Sequence, residues 1–117
     1  MTEGQIYFSV QLWVANTTAK PHTMRDDDFE WDDAKAAANL ARHGVSFDTA
    51  RRVFDDPFAF EKLDDRMRYR EDRFSTTALV DGRFLSVSWT QREGKIRIIS
   101  ARFATAQERR LYHDQDV

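Results

Sequence analysis

Cysteine is absent from the 117-residue chain, which excludes disulfides, thiolate metal sites and cysteine nucleophiles. Glycine is scarce, with four in all, and they form no phosphate-cradling loop. The three histidines are scattered, and the acidic run over residues 26–33 lacks the spacing of a calcium loop. No metal or cofactor is therefore expected. No apolar run approaches the roughly 20 residues that span a bilayer, and the N-terminus lacks the basic region and apolar block of a signal peptide. A cytoplasmic location, with no membrane partner, is the expectation. Charge of one sign is not in excess either. The net charge of -2 gives no whole-molecule nucleic-acid signature, so a basic site has to be local.

What is present is a folding sequence. A hydrophobic fraction of 41% over this length suits one compact domain with a single core. The charges separate along the chain. Residues 26–33 hold no cation, whereas residues 92–110 carry Arg92, Lys95, Arg97, Arg102, Arg109 and Arg110 against Glu93 and Glu108. Residues 1–23 read as an N-terminal extension: an upstream start that the fold does not need, or an edge strand in which Ile6, Phe8, Val10, Leu12 and Val14 alternate. Residues 24–117 read as the single domain.

Phe29-Glu30-Trp31 is a short strand or extended lead-in. Asp32 or Asp33 caps a helix through His43, stopped by Gly44. Ser46 caps a second helix in which Phe47, Ala50, Val53 and Phe54 fall on one face. Phe58 to Lys62 is a strand, Asp64 to Asp72 a charged loop, and Arg73 to Val80 a second strand. Asp81-Gly82 turns into Arg83 to Thr90, and Glu93-Gly94 turns into the most β-prone run, Ile96 to Thr105. Thr105 and Glu108 then form a capping box for a C-terminal helix to about His113. The predicted class is α+β: an antiparallel sheet of about four strands with helices packed on one face.

The two turns predict a register. Val80 faces Arg83, so Thr77 faces Ser86 and Arg73 faces Thr90. Arg92 faces Lys95, so Thr90 faces Arg97 and Ser88 faces Ile99. Alternation then assigns Phe74, Thr76, Ala78, Leu85, Val87, Trp89 and Ile98 to the core. The opposite face receives Arg73, Ser75, Thr77, Ser86, Ser88, Thr90 and Arg97. Arg102 falls on the other parity from Arg97, positioned to tie the C-terminal helix to the sheet. A row of hydroxyls with aligned arginines suits phosphate; it is also what a solvated sheet face looks like.

Phe29-Glu30-Trp31-Asp32, Lys35, Asn39-Leu40, His43 to Phe47, Val53 to Pro57, Ile96 to Arg102 and Glu108-Arg109 together resemble the BrnT toxins. The resemblance covers Phe29 to Tyr112. It implies a fold related to the RelE toxins and an endoribonuclease that inhibits translation. It also implies neutralisation by a BrnA-like ribbon-helix-helix antitoxin, with DNA bound only through that complex. One departure stands out: the family's Asp-His-Ser-like segment corresponds here to Asp65-Arg66-Met67.

Metal-independent RNA cleavage needs an acid/base pair and cations around a charged phosphorane. Arg97 and Arg73 are the predicted phosphate clamps, with Arg92 at the hairpin tip. Glu71 is the predicted base, two residues before Arg73. His43, whose imidazole can both give and take a proton, is the second proton-transfer candidate. Lys35, Asn39 and Arg42 share one side of the first helix and are read as an RNA-binding stripe, and Thr90 and Ser88 as hydroxyl contacts. Trp31 offers a stacking ring, while Trp89 is assigned to packing. The missing loop histidine keeps a second reading open: a degenerate, non-catalytic toxin acting as antitoxin partner and operon co-repressor.

Overall fold

Side-chain caps start each α-helix among the described residues. Asp32 accepts from Lys35 N at the start of α1, Asp33–His43, and Gly44 closes it in the left-handed conformation with φ 73°. Ser46 caps the short α2, Phe47–Ala50, which tightens into a 3-10 turn over Arg51–Asp55. Phe47, Ala50 and Val53 are buried as predicted. The structure, a computed structural model, describes residues 26–64 and 72–115. The N-terminal extension, the Asp65-Arg66-Met67 segment and Glu71 lie outside the described residues. Among the described residues no helix is long and apolar enough to cross a membrane.

The sheet has five strands in the order β1-β5-β4-β3-β2: β1 Phe29–Glu30, β2 Phe60–Asp64, β3 Arg73–Val80, β4 Arg83–Arg92 and β5 Lys95–Phe103. The predicted antiparallel meander is β2 to β5. The correction is β1, which pairs parallel with β5 through Phe29↔Ile96 and Glu30↔Arg97, making the sheet mixed. A pairing this short carries no periodicity for a sequence to display.

Both hairpins turn through left-handed residue pairs, Asp81-Gly82 and Glu93-Gly94, the primed geometry that matches strand twist. Val80↔Arg83 and Thr77↔Ser86, and Arg92↔Lys95 and Thr90↔Arg97, follow the predicted register. The core face is as expected. Trp89 is fully buried, stacks on Phe74 at 4.6 Å and donates its indole N–H to Thr76 Oγ1 at 2.8 Å.

One residue breaks the pattern. Trp89 pairs with Ile98, but Ser88 pairs with Ser100, so Ile99 is an extra residue in β5, a β-bulge. Beyond it the parity reverses. Arg102 lies opposite Ser86, on the same face as Arg97 rather than the other. The C-terminal helix α3, Ala106–Asp114, follows it there. Glu108 receives both Nη1 and Nη2 of Arg102 at 2.9 Å and Ser86 Oγ at 3.5 Å, while Phe84 meets the rings of Tyr112 and His113. Arg102 does tie the helix to the sheet, as expected. The helices nevertheless do not share one face, because α3 covers part of the polar side. Tyr112 Oη clamps its far end by donating to Asp56 Oδ2 at 2.8 Å.

Asn39 is the buried residue of α1, and it is not part of a solvent-facing stripe. Its amide Nδ2 donates to Val45 O at 3.0 Å and Ala101 O at 2.8 Å, and its Oδ1 accepts from Ala101 N at 3.1 Å. The side chain thus completes the outer edge of β5 beyond β1, as another strand would. Replacing Asn39 with alanine leaves those buried backbone groups unsatisfied. The expected cost is roughly 3 kcal/mol, read as a lower urea midpoint at unchanged slope.

Candidate functional site

The polar face is best described in lines running across the strands. At one end stand Asp64 beside Arg73, then Thr90 beside Arg97 and Arg97 beside Glu30. The middle line runs Lys62, Ser75, Ser88, Ser100. The third runs Phe60, Thr77, Ser86, Arg102, and α3 lies against it, which explains why Thr77 and Ser86 are buried. Between the serine line and α3 is a cleft of about 140 Å³ lined by Lys62, Leu63, Asp64, Ser75, Ser88, Arg102 and Glu108.

Glu108 organises one wall. Burial pushes its carboxyl up, but hydrogen bonds and charge from Arg102, with the Thr105 backbone N–H, outweigh this and hold it below the usual range. It is therefore an anion near neutral pH, and it fixes the Arg102 guanidinium in the cleft. Lys62, on the opposite wall, is exposed and has no ion pair among the described residues. Lys62 and Glu108 were not among the predicted site residues, and Arg102 was read only as a tie. The capping box was the one signal pointing to Glu108, and it says nothing about a cleft.

The predicted site residues separate. Arg97 faces the hydroxyl row, but its Nη1 is 3.2 Å from Glu30 Oε2, so it arrives as an ion pair. Arg73 stands in register with Asp64 on the same end line. Ser88 lines the cleft. Thr90 is buried and donates its hydroxyl to the Asp72 carbonyl, so it offers substrate nothing. Arg92 is exposed at the end of β4. Lys35 and Arg42 are exposed on α1, which packs against β5 and has its Asn39 amide on that strand's outer edge. They share no described contact with the cleft. His43, in the last turn of α1, shares none either. Trp31 packs edge-on against Phe47 at 5.9 Å. Among the described residues no three histidine or carboxylate side chains converge as metal ligands.

A family model described as the ribonuclease toxin, BrnT, of type II toxin–antitoxin systems matches residues 31–108. No curated protein matches the chain. The family match covers more than half of the sequence, from Trp31 through Glu108. The chain belongs to the BrnT family.

Proposed function

We propose that this BrnT-family chain is a metal-independent endoribonuclease that cuts RNA on the polar face of its sheet. The observation that carries the reading is the cleft of Lys62, Ser75, Ser88 and Arg102, where two cations flank hydroxyl donors as a phosphodiester requires. The RNA backbone lies along the serine line, with its scissile phosphate between Lys62 and Arg102. Arg73 and Arg97 take the adjoining phosphate. The 2′-hydroxyl attacks the neighbouring phosphorus as its proton passes to a carboxylate, and the P–O5′ bond breaks as the 5′-oxygen takes a proton from water. The products are a 2′,3′-cyclic phosphate and a 5′-hydroxyl. Glu71, two residues before Arg73 in sequence, is the assigned acceptor. Cleavage of this kind inhibits translation, and a BrnA-like ribbon-helix-helix antitoxin neutralises it, carrying the pair to DNA.

A second reading has one observation in its favour. Carboxylates already hold two arginines of this face, Arg97 through Glu30 and Arg102 through Glu108. A degenerate toxin retained as antitoxin partner and co-repressor would show that pattern. Purified protein incubated with single-stranded RNA in EDTA separates the two. The expected result is fragments ending in 2′,3′-cyclic phosphate, together with growth arrest on expression. Intact RNA and normal growth would establish the second reading.

A further inference from the structure

A groove of about 390 Å³ opens on the other face of the sheet from the serine line, between the α1–α2 corner and the β3–β4 hairpin. Its walls are mixed: apolar Leu40, Val45, Val80, Leu85 and Phe103 alternate with the hydroxyls of Ser46 and Thr49 and the charged Asp81 and Arg83. Leu40 is 50% exposed and Phe103 45%, large values for side chains at the mouth of one groove. Ala37, one turn before Leu40, is exposed as well, so the apolar surface extends along α1. Half-exposed Leu40 and Phe103 at the mouth of one groove, on a small and highly charged protein, point to a place where another chain sits.

The charge at the rim says what kind of chain. Asp81 lines the groove, but its carboxylate is taken by Arg52 through a two-pronged contact of 2.7 and 3.0 Å. Arg83 lines it too. Its guanidinium rests over the Phe103 ring, 5.7 Å from the centroid, and is in no ion pair among the described residues. The groove thus offers apolar contacts around Leu40 and Phe103, two hydroxyls and one unneutralised cation. That suits an apolar side chain flanked by a carboxylate, presented from a helix turn. It does not suit nucleic acid, which needs several cations and finds them on the opposite face.

We infer that this groove is the docking surface for an amphipathic, acid-flanked helical segment of the antitoxin. The inference rests on the toxin–antitoxin reading. It adds that the antitoxin grips the core-side end of the domain at Leu40 and Phe103, with Arg83 meeting its carboxylate. The cleft is then not the main grip.

The test uses the full chain and, as probe, the purified product of the reading frame adjacent to its own. Binding is measured by titration calorimetry for the parent, Leu40→Asp, Phe103→Asp and Arg83→Glu. The expected loss is about 100-fold for either apolar change and about 10-fold for Arg83→Glu. Thermal midpoint and RNA cleavage should stay as in the parent, since all three positions are exposed and outside the cleft. In cells, the adjacent product should relieve growth arrest by the parent and fail to relieve arrest by Leu40→Asp. If it binds and relieves the variants as well as the parent, the groove assignment is overturned while the toxin reading stands. If the parent neither arrests growth nor binds that product, the toxin reading falls and takes the groove with it. If the free chain is a dimer that Leu40→Asp dissociates, the groove belongs to a second copy and the antitoxin assignment is overturned.

Discussion

The Glu61→Leu variant is expected to be more stable than the parent at pH 8, by on the order of 4 kcal/mol, and similar to it near pH 4.5. Glu61 sits on the core face of β2 opposite Thr76, is 5% exposed, and its Oε2 has no hydrogen-bond partner among the described residues. Burial pushes its carboxyl from an ordinary 4.5 up to about 8. The sign follows from proton counting. Between those two values the folded chain holds a proton that the unfolded chain has released, so stability falls as pH rises. Below the lower value both states are protonated and the penalty vanishes. Leucine has no proton to hold, so its stability profile lacks this slope. Urea unfolding of both proteins at pH 4.5, 6 and 8 measures the difference. A constant offset across that range would show that the Glu61 carboxyl ionises normally in the fold.

The next residue points the other way, and the effect expected there is on RNA rather than on stability. Lys62→Glu should lower RNA cleavage by about 100-fold or more with an unchanged unfolding midpoint, because the side chain is exposed. Its ammonium faces the cleft across the serines from Arg102. Reversing that charge sets a carboxylate across the cleft from Glu108, where the proposed phosphate would enter. Lys62→Arg keeps a cation there and should retain most activity. Binding to an uncleavable 2′-deoxy oligonucleotide should weaken in parallel and lose part of its salt dependence, as expected when a phosphate contact is removed. Parent-like cleavage by Lys62→Glu would place the scissile phosphate elsewhere on the protein.

Much of this architecture could be read from the chain. Asp81-Gly82 and Glu93-Gly94 specify two-residue turns, and such turns set register. Asp32, Gly44, Ser46 and the Thr105–Glu108 box mark helix ends to within a residue or so. The core face followed from alternation on β3 and β4. Three features did not follow, each for a physical reason. The β1–β5 pairing is too short to leave a pattern. Asn39, set among alanines, reads as surface until its tertiary partners Val45 and Ala101 are known. The bulge is silent because Ile98 and Ile99 are both apolar and β-branched, so either can face the core. From that one ambiguity came the wrong parity for Arg102; the expectation that all helices share a face came from the α+β class alone. The bulge also hid the cleft, whose wall is α3. The role of Arg102 as a tie was still legible, because the capping box placed Glu108 within its reach.

The extra residue at Ile99 has a consequence for how such a site changes over time. The orientation of everything downstream in β5 depends on how many residues precede it, and not on which residues they are. Amino-acid exchanges at Ile99 keep that count, so they leave the wall of the cleft where it is. Insertion or loss of one residue there would turn Arg102, the capping box and α3 to the other side in a single genetic event. The cleft is thus tolerant of substitution at its most consequential backbone position and exposed to a change of length.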